Sequence, residues 1–279
     1  MPTTRGVRTK PYGRAGSAQA LGDHVSTFET LEVSVQGAIG HMALARPKRL
    51  NALSRQTLQD LAQASRWFDE QRDVKVVVVS GQGSSFCAGF DLNDFMNPDP
   101  EWGVRESADL GRLMAEAVTN MNALTIAAIQ GNCIGGGVVL AASCDLRVAT
   151  DLANFVIPEV DLGIPLAWGG IPRLVREIGP AATKELVLTC RPFGSAEAKS
   201  LGFLNTIVSE AELDNHVQAL AESLAAKPGY SLRTTKQQVN AVTEEMIGTA
   251  RNANDADSLV IATYDAESRA ASAAYLKSK

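Results

Sequence analysis

Apolar and polar residues alternate through "FETLEVSVQGAIGHMAL", from Phe28 to Leu44, and the pattern turns over around Gly37. Such alternation predicts two strands joined as a hairpin, with the turn at Gln36–Gly37. "SRQTLQDLAQASRWFDEQ" then sets Leu58, Leu61, Ala62, Ser65 and Phe68 on one face at helical spacing, with Ser54 as the N-cap. The β-branched run in "VKVVVVSG" has no polar alternation, which predicts a strand buried on both faces. The order recurs with a helix around Arg105–Leu124, a strand at "TIAAIQG", a helix opening at the glycine triplet 135–137 and a strand at "DLRVAT". No sequence repeat is legible, but alternating strands and helices argue for an α/β core. From about Glu210 the strands stop, and "LDNHVQALAESLAAK", "SLRTTKQQVNAVTEEM" and "ADSLVIATYDAESRAASAAYLKSK" all read as helices. Residues 1–26 show neither period and carry Arg5, Arg8, Lys10 and Arg14 with no acid before Asp23. The expected organisation is therefore a disordered extension over 1–26, a core over 27–209 and a helical region over 210–279. A mitochondrial transit peptide shares the basic composition of the extension, but the apolar face of an amphipathic helix is missing.

At 279 residues and 45% hydrophobic content the chain can bury a full core. The net charge of -5 is spread without blocks, which favours a small-molecule ligand over nucleic acid. Its apolar stretches fall well short of the roughly 18 residues that span a bilayer, and no secretory apolar segment opens the chain, so a cytoplasmic location is expected. Cys87, Cys133, Cys144 and Cys190 have no CxxC spacing and no histidine nearby. Four reduced, mostly buried thiols are expected, rather than a zinc site or a disulfide framework.

Two glycine-containing turns follow buried strands: "GQGSSFCAGFDL" (81–92) and "GNCIGGGVVLAASCDL" (131–146). In the second, three glycines lead into an apolar helix, so the backbone can approach a ligand closely while the first helical N–H groups have no partner within the helix. An anionic oxygen is a natural guest for those N–H groups and the positive end of the helix dipole. The structural alternative is tight packing of the helix on the sheet. The spacing fits neither a G-x-G-x-x-G dinucleotide turn nor a P-loop.

The ordered set "RPKRLNALS" (46–54), "GQGSSFCAGFDL" (81–92), "NCIGGGVVLAASCDLRVA" (132–149), "FVIPEVDLGIP" (155–165) and "GGIPRLVREIG" (169–179) resembles the enoyl-CoA hydratase/isomerase (crotonase) superfamily. The resemblance runs over about residues 27 to 279. It implies a spiral of ββα units followed by helices that pack between subunits in a trimer or a dimer of trimers. The apolar Leu213, Val217, Leu220 and Leu224 exceed what a lone helical tail can bury and point the same way. It further implies an oxyanion hole made by the backbone N–H groups of Phe90 and Gly136, with Gly135 in the same substrate-binding turn. Each such donor is typically worth about 2.7–4 kcal/mol at the transition state. The implied coenzyme A site is the backbone around Lys48–Ala52 with Ala88 and Leu92; Lys48 or Arg49 reaches the phosphates or simply belongs to a solvated basic loop. Tyr275 and Lys277 fall where family members contact coenzyme A, without the usual preceding Glu-Gly dipeptide. The CoA thioester is the substrate, and no separate cofactor or metal is implied.

One departure bears on the reaction. The hydratases of this family hold water between two glutamates. One corresponds to Glu159, but the other position, three residues after Gly136, is Val139, which neither accepts nor gives a proton. A single carboxylate suffices to move a proton from the alpha to the gamma carbon of a 3-enoyl-CoA, so isomerisation is the favoured expectation. Apolar neighbours such as Ile157 and Val160 would raise the Glu159 pKa into a useful range. Hydration with Asp161 as replacement acid is the alternative: two residues on in an extended segment it would point the same way as Glu159, although it also resembles a loop-capping aspartate. A non-catalytic acyl-CoA binding protein is the alternative of another class. Asp91 and Asp94 are expected to bind backbone amides, and His24, His41 and His216 lie outside every motif. Trp168, in a segment that carries one extra residue, either walls the acyl pocket or packs in the core.

Overall fold

The computed structural model describes residues 24–97, 103–252 and 254–278. The expected extension, with its four basic residues, lies outside the described residues except for 24–26, which join the first strand. Strands β1 (His24–Thr27), β2 (Leu31–Gln36) and β3 (Ile39–Leu44) pair antiparallel. The hairpin turn falls at Gly37–Ala38, one residue later than the alternation predicts, because Gln36 still pairs with Ile39 and Gly37 takes φ +61°. The chain then crosses over through α1 (Arg55–Glu70), whose N-cap Ser54 accepts from the Thr57 N–H, into β4 (Val76–Gly81), parallel to β3. Short α2 (Leu92–Met96) and long α3 (Val104–Asn120) lead into β5 (Leu124–Ile129). Leu124 thus starts a strand instead of ending a helix: Met121 turns extended, with ψ 137°, and stops α3.

After β5 the chain forms β6 (Asn132–Ile134), α4 (Gly136–Ser143), β7 (Leu146–Thr150), β8 (Asn154–Val156), α5 (Gly170–Thr189), β9 (Phe193–Gly194), α6 (Ser195–Ser200) and β10 (Thr206–Val208). The main sheet has the order β1-β2-β3-β4-β5-β7-β10, and β6-β8-β9 form a small second sheet. Strand β4 explains its own composition: Val77 and Val79 enter the larger core with α1, α3 and α4, while Val76 and Val78 enter a smaller core on the other face.

That smaller core corrects one expectation. In α7 (Leu213–Ala225), Leu213, Val217 and Ala221 are buried against Ile39, Val76, Val78, Ile126 and Val148, with Leu220 and Leu224 packed at the edge. The stripe that suggested a partner subunit covers the chain's own sheet. Helices α8 (Gly229–Met246), α9 (Asp255–Tyr264) and α10 (Ala266–Lys277) complete the chain. The last two read as one helix in sequence, but Asp265 is extended and its carboxylate caps the Ser268 N–H at 2.8 Å, which starts α10 in a new direction. Among the described residues no helix is long and apolar enough to cross a membrane.

Candidate active site

Backbone pairing brings the two glycine turns together. The Cys87 N–H donates to Asn132 O at 3.0 Å and the Ile134 N–H to Cys87 O at 2.9 Å, so the first turn lies alongside β6. On its other side the Leu53 N–H donates to Gly89 O and the Asp91 N–H to Leu53 O. This second ladder turns the Phe90 N–H away from Leu53. Gly89 has φ +89°, and a Cβ there would stand 3.0 Å from Ile134 O and 3.9 Å from the Gly136 nitrogen, which explains the glycine. Among the described residues, neither the Phe90 N–H nor the Gly136 N–H donates to a protein acceptor. The Gly136 N–H stands at the first turn of α4, whose residues are all buried.

Glu159 reaches the same place from the turn after β8. Its carboxylate lies over Gly135, where a Cβ would sit 2.5 Å from Oε1; Gly135 has φ +49° and anchors its own N–H on Val156 O. The other oxygen, Oε2, is buried with no hydrogen-bond partner among the described residues. Burial raises the Glu159 pKa from 4.5 to about 7, against a smaller opposing effect from a backbone hydrogen bond.

Phe90, Gly136, Val139, Glu159 and Trp168 all line one cavity of ≈ 560 Å³. Val139 is buried one helical turn beyond Gly136. Trp168 is both pocket wall and packing element: its indole meets the Phe90 ring edge-on, with centroids 5.8 Å apart. Asp161 is not brought in. Residues 159–163 form a tight turn, closed by Gly163 N–H to Val160 O and Ile164 N–H to Glu159 O, instead of the extended segment expected. Asp161 is exposed and outside the cavity lining.

Lys48 and Arg49 are exposed on a short helical turn. Ala52, Ala88 and Leu92 lie nearby, with the Ala88 N–H bonded to Leu50 O and the Arg46 guanidinium bridging Ala52 O and Asp91. None of these five lines the cavity. As expected, Asp91 accepts the Asn93 N–H and Asp94 the Arg55 N–H. All four cysteines are free and buried.

Sequence reasoning missed the roof of the cavity, which α9 and α10 supply through Leu259, Val260, Thr263, Arg269, Ala273 and Leu276. It also missed a polar corner, where Arg55 donates to Ser107 Oγ at 2.7 Å beside Asp94. No motif marks these residues. The one usable signal was Gly163: its φ of +71° and lack of a Cβ let the Ser268 carbonyl of α10 press onto the Glu159 turn. Tyr275, also on α10, is close enough to Asp161, Glu159 and Cys190 for their charge to add to burial in raising its pKa.

Strand order, the two apposed glycine turns and the buried glutamate define an enzyme of the crotonase superfamily. The sequence matches the enoyl-CoA hydratase/isomerase family over residues 34–278, and the chain belongs to that family. It is 35% identical over 227 residues to the peroxisomal Delta(3,5)-Delta(2,4)-dienoyl-CoA isomerase of Arabidopsis thaliana, covering 76% of this chain and 82% of that one. It is 32% identical over 240 residues to the crotonyl-CoA hydratase of Syntrophomonas wolfei, with 85% and 92% covered. Among solved structures, a putative enoyl-CoA hydratase from Thermobifida fusca in complex with CoA superposes with a TM-score of 0.72 at 29% identity, covering 84% of this chain and 94% of that one.

Proposed function

We propose that the chain isomerises a 3-enoyl-CoA to the 2-enoyl-CoA, with Glu159 as the single proton carrier. The thioester oxygen accepts from the Phe90 and Gly136 N–H groups, the oxyanion hole. The Glu159 carboxylate takes a proton from the alpha carbon; the C–H electron pair moves into a dienolate whose charge rests on that oxygen. The same carboxyl then returns the proton to the gamma carbon, which places the double bond between the alpha and beta carbons. No water enters the balance.

The observation that carries this reading is the isolation of the Glu159 carboxylate. Of the two acids that line the cavity among the described residues, Asp94 is held by the Arg55 N–H at 2.7 Å, and the position where the family's hydratases carry the second glutamate is the buried Val139. Hydration needs a second proton site, and the exposed Asp161 does not supply one. The name of the Arabidopsis relative agrees with isomerisation and that of the Syntrophomonas relative with hydration. The residues of the cavity favour the former. In this reading coenzyme A lies along Lys48–Ala52, Ala88 and Leu92, and the acyl group enters the cavity beneath α9 and α10.

Purified protein assayed on crotonyl-CoA and on a 3-enoyl-CoA separates the two reactions. Turnover of the 3-enoyl-CoA is expected, and rapid loss of conjugated absorbance from crotonyl-CoA would defeat the proposal. Glu159→Gln should lower isomerisation by about 10²–10⁴-fold while CoA binding persists; a fully active variant would remove the role given to Glu159.

A further inference from the structure

Trp168 occupies a place that three separate elements are shaped to provide. Its backbone has φ +61°, a left-handed conformation that a bulky residue adopts only when its surroundings enforce it. The indole lies over Gly111 of α3 and Gly136 of α4, and a Cβ at either glycine would collide with its ring atoms. Gly111 interrupts a helix interior, where glycine is unfavourable relative to alanine, and its lack of a Cβ makes room for this ring. Gly169 follows in the same left-handed conformation, with its N–H held by Asp255 at 2.8 Å. The ring then stands edge-on to Phe90 and against Gly136, meeting one cavity-lining residue from each of the two turns. Leu166 and Val139 continue this wall, both packed at Gly170.

We propose that Trp168 is a specificity-determining residue: its indole fills the space where water would reach the Glu159 carboxyl and the acyl carbons, and so confines the proton to direct transfer between them. The inference rests on the isomerase reading. Beside Val139 and Leu166, the indole leaves this wall without a hydrogen-bond acceptor for water. A proton taken by Glu159 then returns to the substrate before it exchanges with solvent.

The test is isomerisation of a 3-enoyl-CoA in D2O, with deuterium at the gamma carbon of the product measured by mass spectrometry. Wild-type protein is expected to retain mostly substrate protium. Trp168→Ala should incorporate severalfold more deuterium per turnover, Trp168→Phe an intermediate amount, and Gly111→Ala, which pushes the indole from behind, should behave like Trp168→Ala. Equal incorporation in wild type and Trp168→Ala, or complete exchange in wild type, overturns the proposal. A second readout needs no turnover. Among Trp67, Trp102 and Trp168, the fluorescence change on binding butanoyl-CoA should belong to Trp168 and vanish in the folded Trp168→Phe variant. An unchanged signal in that variant overturns the contact between indole and acyl group. Failure of wild-type protein to turn over any 3-enoyl-CoA would remove the isomerase reading and the water-exclusion role with it, while the fluorescence arm still decides that contact.

Discussion

At the scale of single residues, Glu159 carries the largest electrostatic cost in the site. One oxygen rests against Gly135 and the other has no protein partner among the described residues, so the charged form is poorly solvated. With a pKa near 7 in the fold against 4.5 in a solvated glutamate, the folded chain holds a proton that the unfolded chain releases between those values. Below pH 4.5 both states are protonated and there is no penalty. As pH rises through about 7 that relative stability is lost, by on the order of 3 kcal/mol. Glu159→Gln stays neutral throughout. Its stability in urea should match wild type near pH 4.5 and exceed it at pH 8, with the gap opening between; a gap that does not change with pH would contradict the burial argument. The same ionisation supplies the base, so isomerisation should rise with pH through about 7 while the fold weakens. Val139 and Asp161 show how far residue identity reaches. The valine at the position expected for a second carboxylate was legible from the sequence set against the family pattern, but the exposure of Asp161 depended on the turn over 159–163.

At the scale of elements, α10 is the part whose role the sequence concealed. In sequence it reads only as the end of one C-terminal helix, yet it presses on the Glu159 turn at two points. The Ser268 carbonyl packs on Gly163, and Ser272 Oγ donates to Leu162 O at 2.5 Å. Both contacts link positions about one hundred residues apart, which no local periodicity reports. Gly163→Ala forces a Cβ into the Ser268 carbonyl at a backbone angle that favours glycine, so α10 or the Glu159 turn must shift. A shift of about 1 Å at a reacting group can cost on the order of 10²-fold in rate. Gly163→Ala should therefore lower kcat by about ten- to a hundredfold with the melting temperature only modestly reduced. Unchanged kinetics would show that α10 merely rests on the turn.

For the whole molecule, the distribution of exposed apolar side chains replaces the argument first drawn from α7. That helix is satisfied within the chain, whereas Val239, Val242 and Met246 of α8 and Ile261 and Tyr264 of α9 are more than half exposed. Five large apolar side chains exposed on two helices that follow one another in the chain are candidates for burial against another subunit. Light scattering should find an oligomer, with a trimer or a dimer of trimers the proposed state. Val242→Glu combined with Met246→Glu should shift it toward monomer. A monodisperse monomer of the unsubstituted chain would reject the proposal.

What the sequence determined by itself was whatever depends on neighbours along the chain. The β-branched run of β4, the Ser54 cap and the glycines beside Phe90 and Gly136 follow from local sterics and periodicity, and the ordered motifs placed Glu159 and exposed the gap at Val139. Tertiary structure alone decided which of these meet. Only the pairing of residues 86–87 with 130–134 brings Phe90 and Gly136 onto one cavity, and only packing over Gly111 and Gly136 turns Trp168 into its wall. Burial of α7 and the roof of α9 and α10 were undetermined for the same physical reason. An apolar stripe specifies that surface must be covered but not by what, and the choice is made by shape between segments far apart in the chain.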